Sequence, residues 1–171
     1  AGGERNAGRK REEMDRVLGK AYVYQSRALG TLGKHVEAIE LARRSFSTKP
    51  VAEAAREIAR WLERSGKLEE ALAAQADAFA LSGIEEDSAR QREDRRRLGE
   101  WYVRLKGSEA GLGDLMLASY DRMQQAIEQR RAELRKLDPN WDIENPMEFT
   151  LSGLNGERLD LSSLRGKVVV L

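Results

Sequence analysis

Residues 21–46 read AYVYQSRALGTLGKHVEAIELARRSF, and residues 54–79 read AAREIARWLERSGKLEEALAAQADAF. The second stretch repeats the first at a constant offset of 33 positions, and the shared residues include a Gly-Lys-x-x-Glu-Ala string and a distant phenylalanine. Two unrelated helical segments are not expected to share both features in register. The sequence therefore predicts an internal helix–turn–helix repeat. The matching positions are Ala21 and Ala54, Arg27 and Arg60, Leu29 and Leu62, Gly33 and Gly66, Lys34 and Lys67, Glu37 and Glu70, Ala38 and Ala71, and Phe46 and Phe79.

Glycine and proline mark the ends of the predicted helices. Gly33 and Gly66 each end the first helix of a pair, where a left-handed backbone conformation costs least for glycine. Pro50 separates the two pairs because proline lacks the amide donor that a helix interior needs. The apolar residues between these markers recur at steps of three and four, which is typical of amphipathic helices.

A looser third copy follows. Residues 96–104 align with residues 56–64 at an offset of 40, and the alignment places Trp101 on Trp61. This recurrence indicates that the two tryptophans pack between repeats rather than form a binding platform. A last helix is predicted from about residue 114 to Leu137 and is stopped by Asp138-Pro139. Its predicted buried stripe consists of Met116, Tyr120, Met123, Ile127, Leu134 and Leu137.

The period and these positions resemble the tetratricopeptide repeat (TPR), whose unit has 34 residues. The aromatic residue that begins the TPR helix is poorly kept: Tyr22 serves in the first copy, and Ala55 replaces it in the second. The resemblance implies a mainly α fold, in which a TPR-like stack of antiparallel helix pairs occupies residues 13–140. Residues 1–12 are charged and glycine-rich, and we expect them to be disordered or frayed.

The TPR resemblance also implies a concave groove that is lined by the first helix of each pair and holds a protein or peptide partner. Guanidinium groups in such a groove can hold a carboxylate in a bidentate manner. The alternative is that these charges keep the surface soluble or pair with neighbouring glutamates. The predicted groove residues are Lys20, Val23, Arg27, Glu53, Arg56, Arg60, Glu93, Arg96 and Glu100, of which Arg27, Arg56, Arg60, Arg96 and Glu100 are the partner-binding candidates.

The C-terminal residues 149–171 read FTLSGLNGERLDLSSLRGKVVVL and have a different pattern. Short strands are predicted at 149–151 and 158–161, joined by a two-residue hairpin turn at Asn155-Gly156. Ser162 is expected to cap one helical turn, and Gly166 is expected to end that turn in a left-handed conformation. The run VVVL at 168–171 is typical of a strand that is buried on both faces.

This order of elements resembles the entry to the thioredoxin-like fold in the redoxin, AhpC/TSA and TlpA-like families. The resemblance implies that residues 141–171 are the truncated start of a thioredoxin-like domain, cut before its redox-active cysteine motif. A TlpA-like parent implies an extracytoplasmic bacterial location. The alternative is a β-hairpin tail on a helical protein. The matching residues are Phe149, Asn155-Gly156, Leu161, Leu164, Arg165, Gly166, Lys167 and Val168 to Leu171.

The composition narrows the function classes. The 30 basic and 29 acidic side chains give a net charge of +1, which argues against a nucleic-acid footprint. The arginine-rich stretch 90–97 also contains Glu93 and Asp94, which favours a solvated helix face. The chain has no cysteine, and a lone histidine, His35, does not make a metal site. We therefore expect no catalytic residue, cofactor or metal in this chain, and no run of about 20 apolar residues predicts a membrane span.

Two functional hypotheses remain open from the sequence. In the first, the chain is the N-terminal, TPR-like protein-interaction region of a thioredoxin-like thiol–disulfide oxidoreductase and has no redox chemistry of its own. In the second, it is a free-standing TPR-like adaptor that binds a protein or peptide, with its β tail as a docking element.

Overall fold

The computed structural model describes residues 7–153 and 155–167, and this part of the chain is mainly α-helical. Within it, six α-helices precede a small two-stranded antiparallel sheet. The predicted fold class, mainly α with a short C-terminal β-hairpin, is confirmed. The helices are α1 (Ala7–Thr31), α2 (His35–Thr48), α3 (Ala52–Arg64), α4 (Leu68–Ile84), α5 (Ser88–Lys106) and α6 (Leu112–Leu137); the strands are β1 (Thr150–Ser152) and β2 (Arg158–Asp160).

The turns after α1 and α3 have the same geometry, 33 residues apart. Gly33 and Gly66 are in the left-handed region, with φ angles of 78° and 76°. The amide of Lys34 donates to the carbonyl of Leu29 at 3.0 Å, and the amide of Lys67 donates to that of Leu62 at 2.9 Å. Each bond satisfies a carbonyl that the helix end would otherwise leave unpaired. Both glycines therefore end helices as predicted.

Small residues let the first two helices approach closely. The Ser26 hydroxyl of α1 donates to the Ala38 carbonyl of α2 at 2.7 Å. The Ser45 hydroxyl near the end of α2 donates to the Gly19 carbonyl of α1 at 2.8 Å. Because the later residue of α1 contacts the earlier residue of α2, the two helices run antiparallel. Buried alanines of α2, α3 and α4 continue this close packing; they include Ala38, Ala42, Ala52, Ala55, Ala59, Ala71 and Ala76.

Trp61 of α3 lies in the core, as the sequence predicts. Its side chain is 3% exposed and belongs to one cluster with Ile58 and Leu62. The His35 ring stacks on it, with ring centroids 5.7 Å apart. On α1, Gly30 leaves the space that the indole occupies, since a methyl group at this position would overlap the six-membered ring. His35 and Trp61 are thus packing residues.

The described contacts divide the chain into two compact units. One unit contains Met14–Glu128, and the other contains the described residues of Ala1–Glu13 and of Gln129–Leu171. In the second unit, α1 begins at Ala7, so residues 7–12, which we expected to be frayed, are helical. Tertiary contacts explain this difference: Gly8 packs against Trp141, and Arg130 forms an ion pair with Glu12 at 2.6 Å. These contacts outweigh the weak helix propensity of the glycine-rich start.

Side chains of the second unit also hold the segment between α6 and β1. The Asn140 side-chain amide bonds both backbone groups of Thr150, accepting at 2.8 Å and donating at 2.7 Å. Arg135 binds Asp142 at 2.7 Å, and this hydrogen bond holds the pKa of the Asp142 carboxyl below its usual range. The predicted buried position of Leu137 is wrong: as the last residue of α6 it is 53% exposed, whereas Leu134 is buried.

The C-terminal hairpin differs from its prediction in two details. Strand β1 pairs with β2 through Leu151 and Leu159, and the amide of Gly153 donates to the carbonyl of Glu157 at 2.8 Å. Residues 153–157 connect the two strands, so the connection is longer than the predicted two-residue turn, and Gly156 in it is left-handed, with φ 84°.

The helical turn that follows begins at Leu161, one residue before the predicted cap at Ser162, with Asp160 in the cap position and no side-chain cap bond. This turn is a short 3-10 helix, Leu161–Leu164. Gly166 is left-handed as predicted, with φ 80°. The predicted strand at 168–171 lies outside the described residues.

The Gly30–Trp61 contact predicts a large effect of a single methyl group. We expect Gly30→Ala to lower the free energy of unfolding by about 1–3 kcal/mol because the core must shift around the indole. Gly113→Ala is the matched control, since nothing lies within 4 Å of that position and helix propensity favours alanine by about 0.5 kcal/mol or more. Urea denaturation measures both changes; equal stabilities of the two variants would contradict the packing described.

Candidate functional site

A cleft of about 280 Å³ lies between α1, the end of α2 and the start of α3. We call it the α1–α3 groove. Its apolar lining comes from Val23 and Val51, and its charged lining consists of four basic and two acidic side chains. Basic residues therefore outnumber acidic ones in the lining, although Arg56 is paired with Asp94 outside it, and this balance favours an anionic ligand. The lining residues are Arg16, Gly19, Lys20, Val23, Ser45, Lys49, Val51, Glu53, Arg56 and Glu85.

Lys20 and Glu85 have different roles in this groove. Lys20 is exposed and forms no ion pair among the described residues. Glu85 follows α4, and its carboxylate accepts a hydrogen bond from the amide of Ala52 at 2.9 Å. This carboxylate lies at the N-terminus of α3, where the helix dipole favours negative charge. The groove thus already binds one carboxylate of the chain itself, whereas the Lys20 ammonium group is available to a ligand.

Arg27 and Arg60, which the sequence aligns at one repeat position, both bind Glu57. Arg27 donates to Glu57 and to Glu53, each at 2.8 Å, and Arg60 donates to Glu57 at 3.2 Å. Glu57 is 1% exposed, so its two oxygens depend on these arginines. Burial by itself lowers the pKa of Arg27, but the hydrogen bonds of Glu57 and Glu53 outweigh it and raise that pKa above its ordinary value.

Arg56 connects the groove to a buried polar network. Its Nε lies 2.9 Å from Oδ1 of Asp94, and its Nη2 lies 3.0 Å from Oδ2 of the same carboxylate. The Ser82 hydroxyl donates to Oδ2 at 2.7 Å, and the Gln75 amide donates to Oδ1 at 3.0 Å. Asp94 is 3% exposed, and its carboxylate is satisfied by donors from α3 and α4. This bidentate pair joins α3 to α5.

Arg96 and Glu100 lie on the exposed surface of α5 and do not line the groove. Arg96 donates to Glu93 at 2.7 Å and to Glu100 at 2.5 Å. The Glu93 hydrogen bond is the main cause that raises the pKa of Arg96, and the same bond lowers the pKa of Glu93. Exposed pairs of this kind contribute little to stability.

The structure brings together only part of the predicted groove. Lys20, Val23, Glu53 and Arg56 line it, whereas Arg27 and Arg60 are committed to Glu57. The sequence analysis missed the contributions of the α2–α3 connection and of the end of α4. A signal was present in Lys49-Pro50-Val51, because a helix break places side chains at a groove edge. The missed lining residues are Arg16, Gly19, Ser45, Lys49, Val51 and Glu85.

A second cleft of about 280 Å³ lies between α2, α3 and α4. Its floor is apolar, with Phe46, Ile58 and Leu62, but its charges pair within the protein. Arg43 binds Glu70 at 3.0 Å, and Asp77 binds Arg122 at 2.6 Å. Because its charges are already neutralised, this cleft is a weaker candidate for a ligand than the α1–α3 groove.

In the described part of the chain, no His, Asp and Glu residues form a group of three that could hold a metal ion. No helix in that part is both long enough and apolar enough to cross a membrane. Comparisons with protein families, with curated proteins and with solved structures found no match to this chain.

The Asp94 network predicts a specific loss of stability. We expect Asp94→Asn to lower the free energy of unfolding by about 3 kcal/mol or more, because it leaves the half-buried Arg56 guanidinium without its carboxylate. The neighbouring Glu93→Gln is the control: it removes an exposed carboxylate and should leave the urea midpoint nearly unchanged. Comparable shifts for the two variants would show that Asp94 is not the buried partner of Arg56.

Proposed function

We propose that this chain is a protein-interaction region and that its α1–α3 groove binds an acidic segment of a protein partner. One observation carries the proposal: Lys20 in the groove lining has no ion-pair partner among the described residues, whereas Arg56 is already paired with Asp94. Val23 and Val51 add apolar surface next to this charge. Such a combination suits a peptide in which acidic and aliphatic side chains alternate.

The size of the groove suits the side chains of a peptide. Sites for drug-sized ligands and cofactors usually enclose about 300–1,000 Å³. The α1–α3 groove, at about 280 Å³, lies just below this range. A segment of extended chain can place these side chains in the groove while the rest of it remains outside.

We further propose that the helical region serves a thioredoxin-like thiol–disulfide oxidoreductase. The resemblance of residues 149–167 to the entry of that fold supports this proposal. The described elements follow in the order that the resemblance implies, with β1, β2, one 3-10 turn and a left-handed Gly166. This chain has no cysteine. In this proposal, thiol chemistry belongs to a cysteine-containing domain, and the helical part positions that domain or its partner.

A titration tests the groove. An acetylated five-residue peptide of alternating Glu and Val, added to ¹⁵N-labelled protein, should shift the backbone amide signals of Lys20, Val51 and Arg56 in NMR spectra. We expect the double variant Lys20→Glu, Lys49→Glu to weaken this binding by about tenfold or more because it reverses two charges in the groove. Added salt should weaken it as well.

Arg92→Glu provides the control for this titration. Arg92 is exposed on α5, outside the groove, so the variant makes the same kind of charge change at a distant position. We expect wild-type binding from it. If Arg92→Glu weakened peptide binding equally, the loss would be due to net charge alone. If the signal shifts were confined to residues outside the groove, the assignment of the groove would be overturned.

The coding sequence downstream of Leu171 tests the proposed oxidoreductase context. A Cys-x-x-Cys motif or a single cysteine at a helix N-terminus, shortly after this point, is the expected finding. A stop codon would contradict it and would favour a free-standing adaptor. This result is independent of the peptide titration, so the two parts of the proposal fail separately.

A further inference from the structure

The solvent-facing side of α1 carries an apolar stripe. Its large members are 44–73% exposed, although residues of these types are usually buried. At 100° per residue, the side chains of the stripe fall within an arc of roughly 120° on the helix, which also contains the exposed, polar Gln25. They recur at steps of three and four residues over about five turns. The members are Met14, Val17, Leu18, Ala21, Tyr24, Ala28 and Leu32.

The opposite side of α1 is already used by the fold. Gly19, Val23, Ser26 and Gly30 are buried there and face α2 and α3. Helix α1 is therefore apolar on two sides, of which only one has a partner within the described residues. A surface helix normally has a single apolar face, so the second one indicates an interaction site.

The shape of the stripe suits another helix. Ala21 and Ala28 are seven residues apart and small, and they alternate along the stripe with Leu18, Tyr24 and Leu32. Ridges of large side chains separated by small ones allow a second helix to approach to the usual interaxial distance of about 8–10 Å. The side chains at 14, 17, 21, 24 and 28 also follow the spacing of a heptad seam.

The basic charge next to the stripe indicates the charge of the partner. Lys20, Arg16 and Arg27 lie along one edge of the stripe, and Leu29 and Tyr22 lie along the other. From Met14 to Lys34 the single acidic residue is Asp15, which is 5% exposed. Arg27 on this edge is paired with Glu53 and Glu57, so Lys20 is the cation of the edge that has no ion-pair partner among the described residues. A helix that packs on the stripe with Glu or Asp along the facing edge would complement it.

A second copy of the chain does not offer this complement. Antiparallel pairing of two stripes brings Lys20 and Arg27 of one copy next to the same basic edge of the other. Parallel pairing sets the basic edge against Leu29 and Tyr22. Neither arrangement places an exposed carboxylate of residues 14–34 next to Lys20. A lipid surface fits less well than a helix, because a helix that lies on a membrane has a polar face rich in Lys and Arg opposite its apolar face, whereas that side of α1 is packed on α2 and α3.

We infer that the α1 stripe docks an amphipathic helix of a protein partner whose polar edge is acidic. The apolar seam of that helix packs on Leu18, Tyr24 and Leu32, and its Glu or Asp side chains bind Lys20. This surface shares Lys20 with the α1–α3 groove, but Leu18, Tyr24 and Leu32 do not line that groove, so the inference does not depend on a ligand there.

Two fluorescein-labelled 21-residue peptides test the inference. Both have an alanine-rich helical sequence with leucine at heptad spacing; one has glutamate along the edges of the leucine seam, and the other has lysine. Fluorescence anisotropy should show saturable binding of the glutamate peptide and at least tenfold weaker binding of the lysine peptide. Leu18→Glu should weaken the binding of the glutamate peptide by about tenfold or more because it places a charge in the centre of the seam.

Leu117→Glu is the matched control, since Leu117 is 67% exposed on α6 and lies outside the stripe. It should bind the glutamate peptide like the wild type, and the thermal melts of both variants should show that they remain folded. The inference is overturned if the wild type does not bind the glutamate peptide, if it binds both peptides equally, or if Leu18→Glu binds the glutamate peptide as tightly as the wild type does. The stripe would be assigned to a second copy of the chain if sedimentation shows a dimer for the wild type and a monomer for Leu18→Glu. The stripe would be assigned to a lipid surface if the wild type floats with vesicles of 70% phosphatidylcholine and 30% phosphatidylserine and Leu18→Glu does not.

Discussion

A buried carboxylate at the middle of the helical unit constrains the packing of α3, α4 and α5. Asp94 lies on α5, and its donors are Arg56 on α3 and Gln75 and Ser82 on α4. Taking a carboxylate out of water is costly unless strong, well-oriented hydrogen bonds replace the lost hydration. These bonds exist only when the three helices are in one register. The ion pair therefore selects this arrangement of helices over others that would bury similar apolar area.

A second buried ion pair joins α1 to α3. Glu57 of α3 is buried, and Arg27 of α1 reaches it across the helix interface. The arginines at these interfaces are therefore structural, and this leaves fewer charges for a ligand than the sequence suggests. What remains accessible is Lys20 in the groove and the apolar stripe on the outer side of α1. Both surfaces share the basic charge of Lys20, and the two proposals of an acidic partner rest on it.

Local patterns were sufficient to predict the helical fold but not the site. Gly33, Gly66 and Pro50 mark turns through backbone geometry, which a sequence reveals directly. Asp94 was different: in an arginine-rich stretch it looked like part of a solvated face, and its burial follows from donors 12–38 residues away along the chain. Glu85 likewise joins the groove from the end of α4. Long-range pairings of this kind depend on helix packing, which periodicity alone does not specify. The same holds for the start of α1, which is helical through contacts with Trp141 and Arg130 rather than through its own propensity.

The most direct test of the central claim is a double-mutant cycle between Arg56 and Asp94. Arg56→Met, Asp94→Asn and the double variant would be unfolded in urea, and their free energies compared with that of the wild type. If the pair joins α3 to α5, the double variant should lose less stability than the sum of the single variants, with a coupling free energy of about 1.5–3 kcal/mol. Additive losses, within about 0.5 kcal/mol, would contradict the claim that this interaction sets the helix register.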